Sequence, residues 1–166
     1  MKLVECVPNF SEGRDHDVIA QITAGIDEVD GVELLDVDPG AATNRTVVTF
    51  VGSPEAAEEA AFRAIARAAE LIDMSDHTGE HPRMGATDVC PFVPIEGTTL
   101  EDCVEIARRL GSRVGTELGI PVYLYEHAAL EGRRSLADAR SGEYEGLAAR
   151  TDPPDFGPAL NSTAGA

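Results

Sequence analysis

Lys2 is the only lysine in the chain, and twelve arginines complete its positive charge. Thirteen basic residues face thirty acidic ones, giving a formal net charge of -17 over 166 residues. So acidic a surface repels phosphate backbones, which makes nucleic acid a poor partner. Excess carboxylate with almost no lysine also suits a salt-rich cytoplasm, where ions screen the self-repulsion. A halophilic, cytoplasmic protein is therefore expected. No run of eighteen apolar residues occurs, so no membrane span is expected. The first ten residues, MKLVECVPNF, lack the long apolar stretch of a secretion signal and read as a first strand. Cys6, Cys90 and Cys103 show no CxxC spacing, and are expected to be reduced, buried core residues. Neither GxGxxG nor GxxxxGK[ST] occurs, so nucleotide binding has no support. GxSxG and HExxH are absent as well.

What is present reads as one α/β (α+β) domain with an adequate core. Lys2 to Val7 is a β-type run stopped by Pro8, and the PNFSEGR cluster after it reads as a turn. Asp15 is the expected N-cap of a helix to about Val29, whose apolar residues recur at three- and four-residue spacing. Val32 to Val37 is a second strand. Thr46 to Val51 is a third, rich in β-branched residues and expected to be buried on nearly both faces. Ser53 caps an alanine-rich helix to about Ile72, with Ala57, Ala61, Ile65, Ala68, Leu71 and Ile72 inward. Val89 to Ile95 is a fourth strand interrupted by prolines. Thr98 or Thr99 caps a helix to about Leu118, and PVYLYE from Pro121 is a fifth strand. Short helices are expected at His127 to Glu131 and Ser135 to Arg140. The order β-α-β-β-α-β-α-β predicts a ferredoxin-like mixed sheet with helices mainly on one face. Such a sheet leaves an apolar second face. Residues 1–152 form the domain, and the Pro/Gly/Ala-rich residues 153–166 read as a linker tail.

Titratable residues crowd into Asp73 to Pro94, DMSDHTGEHPRMGATDVCPFVP. Loops on a rigid scaffold are where binding and catalytic groups gather. Gly79 and Pro82 bracket His81 and break any helix there. Two readings of His81 stand: a general acid/base, or a structural histidine satisfied by a carboxylate. Arg45 and Arg83 either pair with substrate carboxylates or balance the acids. His77 and His81, four apart, could share zinc on a helix, but Gly79 and Pro82 argue against that helix.

Five blocks carry a resemblance: VPNFSEGR (7–14), LLDVDPGAATNRTVVTFVG (34–52), the 73–94 loop, GIPVYLYEHAA (119–129) and PDFGP (154–158). Together they resemble the N-terminal subdomain of the formiminotransferase family, glutamate formimidoyltransferases. The resemblance implies transfer of a formimino group from N-formimino-L-glutamate to the co-substrate tetrahydrofolate, in histidine breakdown and one-carbon metabolism. It implies two α/β subdomains whose sheets face each other across a folate groove, and no metal is expected, since Gly79 and Pro82 break the helix that His77 and His81 would need. His81, in the HPR motif, is then the catalytic histidine. The folate-contacting segment maps onto Gly157, Pro158, Ala159, Leu160, Asn161, Ser162, Thr163, Ala164, Gly165 and Ala166. Asp38 or Asp88 could orient His81, and Asn44, Arg45 and Arg83 are candidate substrate contacts. The C-terminal subdomain is expected to be absent from this chain, so a separate second subdomain or a homodimer is the expected partner. A non-catalytic folate-binding or assembly module, and formyl rather than formimino transfer, are the alternatives.

Overall fold

Side-chain caps start the four α-helices of the computed structural model, which describes residues 1–130 and 134–159. Asp15 accepts from the Asp17 and Val18 amides and opens α1 (His16–Asp27). Ser53 does so for α2 (Pro54–Leu71) from the Ala56 amide. Reciprocal capping boxes, Thr99 with Asp102 and Ser135 with Asp138, open α3 (Leu100–Arg113) and α4 (Leu136–Arg140). Past α3 the chain widens into one π-helical turn, Val114–Leu118, and Gly119 ends it in the left-handed region at φ 65°.

The strands are β1 (Leu3–Cys6), β2 (Asn9–Phe10), β3 (Val32–Gly40), β4 (Arg45–Gly52), β5 (Thr87–Val89) and β6 (Phe92–Glu96). β4 pairs with β3 on one side and with β1 and β2 on the other. β6 adds to β1 and β5 to β2. Pro8 interrupts the β1–β2 run beside β4 and Pro91 the β5–β6 run at the edge, so six strands lie along four lanes. Every one of these pairings is antiparallel, which corrects the expected mixed sheet. The reason is that α1 carries the chain over the β4 lane before it re-enters as β3. Strands joined through that helix run the same way but are never neighbours.

Three further expectations change. Asn9 and Phe10, expected in a turn, form β2, because β4 and β5 supply partners on both sides. PVYLYE is not a strand: only Val122 bridges, to Phe156 of the tail. The one-turn helix expected from His127 runs over Glu126–Ala128 as a 3-10 turn, and Glu131 lies outside the described residues.

β4 alternates strictly. Thr46, Val48, Phe50 and Gly52 are buried while Arg45, Val47, Thr49 and Val51 stay half-exposed, so the strand is covered on one face only. The buried face joins Val4 and Cys6 of β1 beneath Ile22 and Ile26 of α1 and Ala57, Ala60, Ala61, Ala64 and Ala68 of α2. Alanine along α2 allows close approach to the sheet, and each larger side chain removed from water adds about 1.5–3 kcal/mol. Leu71 does not turn inward; it is exposed at the helix end. The other sheet face keeps large apolar groups in solvent: Leu35 is 51%, Val93 40% and Ile95 53% exposed. Among the described residues no helix is long and apolar enough to cross a membrane.

Candidate functional site

The turn between β3 and β4 ends at Asn44, which holds φ at 50°. Asparagine tolerates this left-handed conformation better than most residues. Its amide ties three segments. Oδ1 accepts from the Gly13 amide at 2.9 Å, and Nδ2 donates to the Thr78 carbonyl at 3.0 Å. The Asn44 carbonyl accepts from His77 Nε2 at 2.9 Å.

That bond fixes the buried His77 with its proton on Nε2. Its Nδ1 then accepts from Arg83 Nε at 2.9 Å, and Arg83 Nη2 donates to the His77 carbonyl at 3.0 Å. The remaining guanidinium N–H groups fork onto Glu145, at 2.8 and 2.7 Å. Glu143 accepts from the Arg83 backbone amide at 3.2 Å. The Arg83 fork holds the Glu145 carboxyl far below its ordinary value, at about 2. Arg83 is thus buried and occupied by protein groups.

His81 is only half-buried. Its Nδ1 donates to the Pro82 carbonyl at 2.6 Å, so Nε2 carries the lone pair. Arg45 Nη1 lies 2.7 Å from that Nε2 and 3.3 Å from Nδ1. Arg45 projects from β4 on the half-exposed sheet face, so the imidazole and guanidinium meet where the sheet is open. A basic nitrogen beside a permanently charged guanidinium suits proton transfer on a carboxylate-bearing substrate.

The other candidates are dispersed. Asp38 is exposed on β3 opposite Val47, on the same open face as Arg45. Asp88 is buried: one oxygen accepts from the Met84 amide at 2.8 Å, and the other pairs with Arg140. It fixes the turn after Arg83. Gly157 packs on Ile120 and Gly115 beside the end of α3. Pro158 and Ala159 are exposed, and Leu160 to Ala166 lie outside the described residues. His77 and His81 take different partners, and among the described residues no three of His, Cys, Asp and Glu converge as metal ligands would. Cys6 and Cys103 are buried and Cys90 half-buried; all three are free thiols. Sequence reasoning missed Glu143 and Glu145, since nothing local to Arg83 points to acids sixty residues away. Asn44 carried a usable signal as an asparagine closing a turn.

Fold and loop together define an α/β domain with a half-exposed histidine–arginine pair at the open face of an antiparallel sheet. Residues 3–166 match the formiminotransferase domain, N-terminal subdomain, and the chain belongs to that family. It is 57% identical to a formimidoyltransferase-cyclodeaminase from Gallus gallus over 95% of the chain and 30% of that protein. It is 52% identical to a glutamate formimidoyltransferase from Thermoplasma acidophilum, over 100% of the chain and 57% of the relative. A glutamate formimidoyltransferase from Streptococcus pyogenes serotype M1 is 48% identical over 95% of the chain and 53% of its own length. The chain therefore spans about a third to somewhat over half of these relatives.

Proposed function

We propose that this chain is the histidine-bearing half of a glutamate formimidoyltransferase. The observation carrying this reading is the half-exposed His81 imidazole with Arg45 Nη1 against it, 2.7 Å from Nε2 and 3.3 Å from Nδ1, on the half-exposed sheet face. The family and the names of its relatives support the substrate class, formiminoglutamate and tetrahydrofolate. N5 of tetrahydrofolate attacks the amidine carbon and a new C–N bond forms. His81 Nε2 takes the proton released by N5. It returns that proton to the glutamate nitrogen as the old C–N bond breaks. The products are 5-formimidoyltetrahydrofolate and glutamate, a step of histidine degradation. Arg45 swings from the face of His81 to a glutamate carboxylate, which uncovers the imidazole as substrate arrives. Asn44, His77 and Arg83 act as positioning residues. Asp38 is one of several carboxylates on the open face, and Gly157 to Ala166 contribute to folate contact.

The exposed Leu35, Val93 and Ile95 support a second layer over the sheet, either a C-terminal subdomain or a second copy of the chain. That same exposed face keeps an assembly module without its own turnover as the second reading. The four-lane sheet order supports a split βαβ, ferredoxin-like assignment. The domain is read as 1–152 with a folate-contacting tail at 153–166, in a cytoplasmic, salt-adapted protein.

The test is tetrahydrofolate-dependent release of glutamate from formiminoglutamate in molar KCl. The chain is assayed alone and with a relative's C-terminal half added. Turnover lost in His81→Ala, in either format, is the expected result. Turnover retained by His81→Ala would remove the acid/base assignment.

A further inference from the structure

Two sulfur atoms meet where two lanes of the sheet break. Cys6 closes β1 and Cys90 stands between β5 and β6. Their Sγ atoms lie 3.6 Å apart, although 84 positions separate them in the chain. The flanking pairings fix this meeting. Cys6 registers with Phe92 and Asn9 with Val89, so Val7 and Pro8 face Cys90 and Pro91 across the break. The Val7 amide donates to the Pro91 carbonyl at 3.2 Å and holds the two interruptions side by side.

The two thiols differ in access. Cys6 is fully buried; burial, and then the hydrogen bond with Cys90, push its thiol well up, so it keeps its proton. Cys90 is half-buried and lines a cavity of about 320 Å³. The exposed Leu100, Glu126 and His127 line the same cavity, so it opens to solvent. A small reagent therefore meets Cys90 first. Cys103 of α3 also lines the cavity, but its sulfur has no partner among the described residues. Bringing Cys6 and Cys90 from contact to a disulfide takes about 1.5 Å of sulfur movement.

We propose that Cys90 and Cys6 form an oxidation site for small hydroperoxides, which closes to a disulfide tying β1 to the approach to β6. Cys90 Sγ attacks one peroxide oxygen and the O–O bond breaks. The departing hydroxide takes the thiol proton and leaves as water, and Cys90 is left as a sulfenic acid. Cys6 Sγ then attacks Cys90 Sγ. The S–O bond breaks as the S–S bond forms, and the second hydroxide leaves as water with the Cys6 proton. Two thiols are oxidised and one peroxide is reduced. The site does not rest on the transferase reading, since neither His81 nor Arg45 takes part.

The test is hydrogen peroxide added to the reduced whole chain, folded and in urea. Remaining thiols are alkylated and peptides are mapped without reductant. The folded chain should show a Cys6–Cys90 link, reversed by dithiothreitol, with Cys103 alkylated. In urea the contact is lost, and loop closure favours Cys90 with Cys103, 13 positions apart, over Cys90 with Cys6. The same map in both conditions would overturn the site, as would a folded chain whose Cys90 reaches sulfinic acid while Cys6 stays reduced. Cys6→Ala should raise dimedone-trapped sulfenic acid at Cys90 severalfold, and Cys90→Ala should leave Cys6 reduced. Oxidation of Cys6 at the wild-type rate in Cys90→Ala would overturn the order of attack. If either variant fails to fold, the two wild-type maps decide. The linked chain should melt about 5–10 °C above the reduced one. A lower melt would show that the native fold does not accommodate the bond.

Discussion

Arg45 Nη1 stands 2.7 Å from His81 Nε2, and His81 Nδ1 stands 2.6 Å from the Pro82 carbonyl. A guanidinium only donates, and a carbonyl only accepts. The Pro82 contact assigns the proton of the neutral ring to Nδ1 and the lone pair to Nε2, while Nη1, also 3.3 Å from Nδ1, lies against the face of the imidazole with its charge nearer Nε2. That charge disfavours a proton on Nε2 and so favours the Nδ1–H tautomer. Nitrogen-15 NMR of neutral His81 should report the Nδ1–H tautomer. Arg45→Met should shift the population toward Nε2–H. A wild-type spectrum already dominated by Nε2–H would contradict the arrangement.

Asn44 joins the 9–14 segment, the 77–79 segment and the start of β4 through two side-chain bonds and its carbonyl. Asn44→Ala leaves the Gly13 amide and Thr78 carbonyl unpaired and strains a left-handed residue. A loss of about 2–4 kcal/mol in urea unfolding is expected. Asn44→Gly forfeits the same bonds but not the backbone strain, and should be about 1 kcal/mol less damaging. Equal losses in the two variants would mean that the φ of 50° carries no cost.

The helices were legible because their signals are local. Asp15, Ser53, Thr99 and Ser135 each cap within three residues of themselves. β2 was not, because Asn9 and Phe10 are only two residues between Pro8 and a Ser-Glu-Gly turn, too short a run to show a strand period, and they become a strand only between β4 and β5. PVYLYE failed in the opposite sense: its β-branched and aromatic residues suit a strand, but only the tail offers it a partner. At the site, the crowding of Asp73 to Pro94 marked the loop, and His81 and Arg45 do meet. Arg83 looked equally free for a substrate. Its occupation by Glu143 and Glu145 depends on a chain return that no spacing encodes.

Glu145 makes a pH prediction. Arg83 lowers its carboxyl from an ordinary 4.5 to about 2. A lowered folded-state value means the stabilising contribution is complete above the ordinary value and is lost as pH falls through the folded one. Wild type and Glu145→Gln should therefore differ in melting temperature at neutral pH. The gap should close between pH 4.5 and about 2. The gap itself is small, because the Glu145 side chain is 66% exposed. A gap that stays constant through this window would separate Glu145 from the acid response.

A net charge of -17 predicts a salt response of the whole chain. Raising KCl from about 0.1 M to about 1 M shortens the screening length from about 10 Å to about 3 Å. Repulsion among surface carboxylates then fades, while buried pairs such as Asp88 with Arg140 are little affected. The melting temperature should rise across this range. A flat or falling melt would argue against salt adaptation and leave an ordinary acidic protein.

Gly79 decides how closely the histidine loop approaches β4. A Cβ at this residue would lie 2.3 Å from the Thr43 carbonyl oxygen and 2.9 Å from its carbon. These are backbone atoms, so the clash is relieved only by moving the loop and the 40–44 turn apart. The neighbouring bond from the Glu80 amide to the Ala42 carbonyl, 3.2 Å, opens with them. Arg45 follows Thr43 by two residues and His81 follows Gly79 by two, so the displacement separates the pair. Gly79→Ala should cost about 1–3 kcal/mol as an overpacked contact. It should also shift the His81 tautomer as Arg45→Met does, although no atom of the imidazole or guanidinium is removed. Thr78→Ala is the control, because only the Thr78 backbone carbonyl is used by Asn44. Its His81 spectrum should match wild type. A Gly79→Ala protein with an unchanged His81 spectrum would show that the loop position does not depend on this close approach.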